Sequence, residues 1–391
     1  MGDDAMIVKL SDHILSPLGD GTEANYQAVR AGRTALRRYE AKWGLPEPFV
    51  ASLFDEEMLA AQMHAVQLEG YTPFEQVLVV SIGRALAEAQ TKEPQLDAAS
   101  SKTVFVFSTT KGNVFLLDER QCGFPKERVL LGEAARKVCD YFGNPNPPLV
   151  VSNACISGVC AQIEAMRLLD GGFYDYAVVA GADMQSPFIV SGFQSFKALS
   201  DEPCRPFDAA RKGLNLGEAA ACIVYARREK VQPKEWVACR GAIRNDANHI
   251  SGPSREGEGS YRALCMVLDG VDAERIAFVN AHGTATAYND EMESIAITRA
   301  GLADVPVNGL KGHFGHTMGA AGVLESILSM RALDDGCVLG TKGFEQCGVS
   351  HPLQLDSHHR PTDKKAFVKL LSGFGGCNAA LLFAKGGLSC F

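Results

Sequence analysis

Three residues of the chain have both the type and the setting for acyl-transfer chemistry: Cys155, His282 and His316. Cys155 lies in VSNACISGVCAQIEAMRLLDGG, residues 151–172, where an apolar β-type run gives way to a helical pattern. A helix beginning just after the cysteine aims unpaired N–H groups and its positive end at the sulfur, which favours the thiolate. Small neighbours at Ala154, Ser157 and Gly158 leave the sulfur reachable. His282 follows an apolar strand in NAHGTATAYNDEMES, with Thr284, Thr286 and Asp290 behind it. Lys311 and His316 sit among glycines in NGLKGHFGHTMGAAGVLES, ahead of another helical pattern. A helix-capped thiol matched with two histidines at strand-end turns has the composition of a nucleophilic site.

The elements that must hold these residues read as α/β. KTVFVFSTT (102–110), PPLVVSNA and YAVVAGAD (176–183) are apolar, β-branched runs separated by helical segments. This is the order of a parallel sheet with helices packed on it. From about residue 226 the order returns: RIAFVNAHG, a helical EMESIAITRAG, VPVNGLK, a helical GAAGVLESILSMRAL, AFVKLLSGFGG and NAALLFAKG. The chain therefore divides into two similar halves, 1–225 with the cysteine and 226–391 with both histidines. Residues 23–95 read as mostly helical, covering a sheet or flanking an entrance, with YTPFEQVLVVSIGRALAEAQ the clearest helix.

Composition narrows the function classes. The 391 residues are 46% hydrophobic, enough for a substantial core, and the net charge of −8 gives no general pull on nucleic acid or anionic membranes. No run approaches the roughly 18 apolar residues of a membrane span. The opening MGDDAMIVKL lacks a secretory layout, so a cytoplasmic protein is expected. The 12 cysteines form no C-x-x-C pair and no zinc spacing, so no metal site is expected and most should be reduced core residues.

Four motifs in order, NACISG, CRPFDAARKGLNLGEAAA, AHGTATAYNDEMES with LKGHFGHTMGAAGVLE, and GFGGCNAALL, resemble those of the β-ketoacyl-acyl-carrier-protein synthases of the thiolase superfamily. The opening SPLGDGTEANYQAVRAGRTALRRY resembles that family too, so the likeness spans nearly the whole chain. It implies a thiolase-like fold, two βαβ-rich halves forming a layered α-β-α-β-α core. It also implies a decarboxylative Claisen condensation. An acyl chain is held on Cys155 as a thioester, and His282 and His316 promote decarboxylation of a malonyl thioester by donating N–H groups to the enolate oxygen. The backbone N–H groups of Cys155 and Phe374 would hold the tetrahedral oxyanion, and the Phe374 ring would gate the acyl pocket. Lys311 and Glu325 resemble the family's buried ion pair, which Asp290 could join. Thr284 and Thr286 resemble the hydroxyl residues that hold a phosphopantetheine arm. Thr110 and Asn378 complete the substrate-binding set. His313 reads as a neighbour of the site, and His249 as a loop residue near its mouth.

No cofactor is implied, because substrates arrive on the phosphopantetheine arm of a separate acyl carrier protein. Arg30, Arg33, Arg37 and Arg38, or Lys197 and Lys212, are candidate docking charges for that acidic partner. Arg205 with Asp208, and Arg211 with Glu218, read as packing ion pairs. The resemblance implies a homodimer, with pairing to a related subunit as the variant. A competing reading, a catalytically silent subunit that sets chain length, is disfavoured by the presence of Cys155, His282 and His316. One departure from the fatty-acid pattern stands out: FSTTKGNVFLLDE (107–119) replaces a glycine- and serine-rich turn. If Thr109, Thr110, Lys111 or Asn113 lines the pocket, a polar, aromatic or polyene substrate would fit better than a long alkyl chain. The alternative for Lys111 is an ion pair at a subunit interface.

Overall fold

The computed structural model of the chain describes residues 5–57, 59–60, 68–118, 123–249 and 252–386. Ten strands of its 11-stranded main sheet fall into two five-stranded groups. In the first, β1 (Met6–Ser16), β2 (Thr103–Ser108), β3 (Leu149–Val151), β4 (Tyr176–Asp183) and β5 (Ala219–Arg228) lie in the order β1-β5-β4-β2-β3. In the second, β6 (Trp236–Asn245), β7 (Ile276–Asn280), β8 (Val307–Asn308), β9 (Ala366–Gly373) and β10 (Cys377–Lys385) lie in the order β8-β7-β9-β10-β6. The groups touch along β1 and β6 through a seam of two residue pairs, Ile7 with Ala238 and Val8 with Val237. β2 pairs in parallel with β3 and β4, and β7 with β8 and β9, as the alternating strand and helix patterns require.

Helices complete the layers. α1 (Thr22–Arg30) lies beside the start of the chain, and α2 (Pro73–Lys92) with α3 (Leu131–Tyr141) covers the outer face of the first group. α4 (Ser157–Asp170) packs between the two groups, and α5 (Pro187–Ser195) follows β4. α6 (Glu258–Val267) and α7 (Ala287–Arg299) cover the second group from outside, while α8 (Ala321–Asp334) joins α4 in the middle layer. The expected α-β-α-β-α order is therefore present. Twelve of the 14 residues of α8 are buried, which is why its sequence is apolar around almost its whole circumference.

The two central helices approach closely at Gly158 and Gly322. A Cβ on Gly158 would lie 2.9 Å from the Gly322 backbone, so the first turn of α4 depends on glycine at both positions. α2 starts as its sequence demands: Pro73 occupies the first turn, and Thr72 and Glu75 form a reciprocal capping box.

Among the described residues, the expectation that 23–95 is mostly helical holds for α1, for α2 and for the helical residues 56–57 and 59–60. Between α1 and α2, Arg37–Tyr39 and Phe49–Ser52 are short strands that join Leu216–Gly217 in a three-stranded sheet. All ten cysteines among the described residues are free, and seven are buried. Among the same residues, no helix is long and apolar enough to cross a membrane.

Candidate active site

Cys155 sits where the sheet hands over to α4. β3 ends at Val151, and Ala154 adopts a left-handed φ of 46°, a costly conformation for a residue with a Cβ. The Ser157 hydroxyl holds this turn, accepting from the Asn153 N–H at 2.8 Å and donating to the Ala154 carbonyl at 2.6 Å. α4 begins at Ser157, so its free N–H end lies beside the cysteine as expected. The expected thiolate does not follow. Burial pushes the thiol up to about 12, reinforced by neighbouring Cys377, and outweighs the opposing pull of Lys311, Lys111 and the Phe374 backbone N–H. Desolvation outweighs these groups, and burial therefore favours the thiol at rest.

The two histidines arrive from the other half. His282 lies just beyond β7, and its N–H donates to Glu293 at 2.6 Å, while the Gly283 N–H donates to the same carboxylate at 2.8 Å. His316 follows the helical turn Lys311–Phe314. Its N–H donates to the Asn215 carbonyl at 2.7 Å, and its carbonyl accepts from the Gly217 N–H at 3.0 Å. Gly217 leaves room for this: a Cβ there would lie 1.9 Å from the Phe314 carbonyl oxygen. The imidazole rings stand edge to face, 4.9 Å apart. One nitrogen from each and the Cys155 sulfur lie within 4.8 Å of one another.

His316 Nδ1 accepts the Met318 backbone N–H at 3.2 Å, which places the proton of the neutral ring on Nε2. Nε2 is buried and has no partner among the described residues, and neither has His282 Nδ1. Both rings are held neutral, their pKa values lowered well below the usual value by burial and then by the charge of Lys311.

Behind the rings, Lys311 pairs with Glu325 at 2.9 Å and also donates to the His282 carbonyl at 2.6 Å. The third member is Lys369, 2.7 Å from Glu325, rather than Asp290. Asp290 faces the other way, accepting the Phe207 N–H at 2.7 Å and the Ala285 N–H at 3.2 Å, because α7 turns it toward those loops. Burial lowers Lys369 to about 8 despite Glu325. Burial opposes the charge of Glu325 too, yet the two ammonium groups together hold its carboxyl below the usual range. Lys369 lies outside the quoted motifs, and Glu293 lies within AHGTATAYNDEMES without being singled out there. Their one signal in the sequence is a charge inside an otherwise apolar or helical stretch.

Two cavities meet at Cys155. One, of about 470 Å³, runs past His282, His316, Thr284, Thr286 and Asn378. The Thr284 and Thr286 hydroxyls are 2.9 Å apart, and Asn378 accepts from Ser260 and Ser372. His249, Lys197 and Lys212 stand along this cavity as well, whereas His313 points away, its Nδ1 2.6 Å from the Arg33 carbonyl. The second cavity, of about 700 Å³, is lined chiefly by Phe188, Ile189, Phe193, Phe196 and Met318 with Thr110 and Lys111. Phe374 borders both. It sits in the loop between β9 and β10, and its ring packs on Phe193 and Phe196 at 5.8 and 5.5 Å.

Of the polar residues read from FSTTKGN, Thr110 and Lys111 reach the second cavity. Thr109 is buried and donates to Asp183, and Asn113 is buried among Thr72, Glu75 and the Arg128 carbonyl, so neither lines it. The carboxylate of Asp183 also accepts the N–H groups of Thr110, Lys111 and Gly319, tying this loop to the turn after His316. The expected pairs in CRPFDAARKGLNLGEAAA form differently. Arg205 meets Glu345 at 3.4 Å, Arg211 meets Asp290 at 4.0 Å, and Glu218 is buried, accepting the Phe54 and Gln185 N–H groups. Each partner is distant in sequence. Arg30, Arg38 and Lys212 already face Asp335, Asp201 and Glu202, and Lys197 and Lys212 border the cavity.

Comparison with known proteins fits this geometry. The β-ketoacyl synthase N-terminal domain family matches residues 11–230 and the β-ketoacyl synthase C-terminal domain family residues 237–345. A 3-oxoacyl-[acyl-carrier-protein] synthase 2 of Rhizobium meliloti is 29% identical, covering 95% of this chain and 97% of its own. The structure of the ishigamide ketosynthase/chain length factor superposes with a TM-score of 0.85 at 26% identity, over 98% of this chain and all of that one. A ketosynthase from Xenorhabdus doucetiae, ApeO, in complex with its chain length factor, ApeC, shares the fold with a TM-score of 0.87 at 24% identity over 99% of each chain. With both domain families matched in order and the cysteine and histidines brought together, the chain belongs to the β-ketoacyl synthase family.

Proposed function

We propose that the chain condenses an acyl group held on Cys155 with a malonyl group, using His282 and His316 to generate the nucleophilic carbon. The observation that carries this reading is the meeting of one sulfur with a nitrogen from each of two neutral imidazoles at the junction of two cavities. The cavity past Thr284 and Thr286 takes the phosphopantetheine arm of a carrier protein, and the apolar cavity takes the acyl chain. The half 1–225 thus supplies the nucleophile and 226–391 the two histidines.

In the first stage the Cys155 sulfur attacks the acyl thioester. Its proton passes to the neutral His282 ring and then to the departing carrier thiolate. His316 is unsuited to receive it, since Met318 fixes its Nε2 as a donor. In the second stage the malonyl thioester loses carbon dioxide, and its enolate oxygen takes hydrogen bonds from His316 Nε2–H and from His282. The enolate carbon attacks the Cys155 acyl carbonyl, whose developing oxyanion is held by the N–H groups of Cys155 and Phe374. Collapse expels the Cys155 thiolate, which takes one proton from solvent. Lys311, Glu325 and Lys369 hold the turn that bears His282.

The chain works without a bound cofactor, in the cytoplasm, on substrates brought by an acyl carrier protein. It assembles as a homodimer. The ishigamide and ApeO structures, each a ketosynthase with a chain length factor, support pairing with a related subunit as the second reading. Light scattering on the isolated, active chain separates the two. The central test is Cys155→Ala: intact-mass measurement after incubation with an acyl-carrier protein should show no acyl adduct and condensation should cease, with the fold retained. Acylation of the variant equal to that of the parent overturns the assignment.

A further inference from the structure

The acyl cavity contains a charge that the condensation does not use. Its walls are mostly Phe188, Ile189, Phe193, Phe196 and Met318, and Lys111 stands among them. Its backbone is fixed, because the Lys111 N–H donates to Asp183 at 3.1 Å beside that of Thr110 at 2.9 Å. The neighbouring hydroxyls are spent, since Thr109 and Thr110 both donate to the same carboxylate. The ammonium is not. It makes a long bond of 3.5 Å to the Thr110 carbonyl, and it takes part in no ion pair among the described residues. An ammonium beside aromatic walls, with donors to spare, favours an anionic or strongly accepting oxygen in that space.

We propose that Lys111 is a specificity residue that selects acyl chains bearing an oxygen acceptor, a carboxylate above all, over plain alkyl chains. This deepens the condensation reading and rests on it. The chain would lie along the phenylalanines with its thioester carbon on Cys155, and its oxygen would meet the Lys111 ammonium. A charge-assisted hydrogen bond of this kind is of a size to give roughly a ten- to hundred-fold preference.

The test measures the rate at which Cys155 gains acyl mass from two series of carrier-bound chains: half-thioesters of α,ω-dicarboxylic acids from four to ten carbons, and unsubstituted acyl groups of the same lengths. The parent should prefer the dicarboxylic form at one or two adjacent lengths by about ten-fold or more. Lys111→Met should abolish that preference while keeping alkyl acylation, Lys111→Arg should keep it, and Lys111→Glu should reverse it. Equal rates for both series at every length overturn the proposal and leave the role of Cys155 intact. A uniform slowing of both series in Lys111→Met also overturns it, since Lys111 would then act only on the thiol. So does loss of the dimer with selectivity unchanged, which would make Lys111 an interface residue. Absence of any acyl mass on Cys155 from either series overturns the condensation reading itself.

Discussion

Replacing Glu325 by glutamine tests the buried support behind the histidines. The carboxylate balances two ammonium groups, Lys311 at 2.9 Å and Lys369 at 2.7 Å, all three almost wholly buried. Removing one member of such a group leaves uncompensated charge in the interior, at a cost of about 3–5 kcal/mol. Part of that cost can be traced. Lys369 sits at about 8 while Glu325 is present, so neutralising it at pH 7 costs roughly 1.4 kcal/mol. The remainder is the loss of charge-assisted hydrogen bonds. Urea unfolding at pH 7 should therefore show Glu325→Gln less stable by at least about 3 kcal/mol. The double variant Glu325→Gln/Lys369→Met should recover about 1 kcal/mol or more, because only one buried ammonium then remains. Malonyl decarboxylation should fall too, since Lys311 also donates to the His282 carbonyl. A loss of stability under 1 kcal/mol in the single variant, or a further loss in the double, would refute the reasoning.

Three further outcomes are expected. His316→Ala should still acylate Cys155 but decarboxylate malonyl-carrier protein roughly a hundred-fold more slowly or worse, because one enolate donor is gone; parental decarboxylation would remove His316 from that role. Burial pushes the Glu218 carboxyl from 4.5 to about 7, so the folded state binds its proton more tightly than the unfolded state does. Its stabilising contribution is full below pH 4.5 and is lost as pH rises to 7, by roughly 3 kcal/mol, and Glu218→Gln should flatten that decline in unfolding measurements at pH 4.5, 6 and 7.5. Lys197→Glu/Lys212→Glu should weaken carrier-protein binding and reduce its dependence on salt in titrations between 50 and 300 mM, given screening over about 10 Å at 0.1 M; unchanged affinity would move the dock elsewhere.

Elements with strong local patterning were legible in the sequence. YAVVAGAD is strand β4 residue for residue, and GAAGVLESILSMRAL is α8 with the turn before it, because burial on all sides writes itself as continuous apolar character. The short strands Arg37–Tyr39 and Phe49–Ser52 were not. They carry little alternation, and the parallel partner of the second is Leu216–Gly217, some 165 residues on. The site shows the same split. Cys155, His282 and His316 lie at turns that their own neighbours specify. Lys369 and Glu293 act through contacts that only the fold creates, as does the exchange of Asp290 for Lys369 in the ion group. The place of Asn113 was not legible because its partners lie on the capping box of α2 and at Arg128. The ionisation of Cys155 was misread because a sequence displays a helix start but not the depth at which it is buried.

The narrow seam between the two strand groups has a consequence for the order in which the protein becomes active. Cys155 and its turn belong to the group made first during synthesis. The Phe374 N–H, the gate ring and the wall from Ser372 to Asn378 come from β9, β10 and the loop between them, the site elements made last. A nascent chain with only the first group folded carries the thiol without the two histidines, without Phe374 and without one wall of either cavity. The complete site therefore exists only once β9 and β10 have closed onto β6.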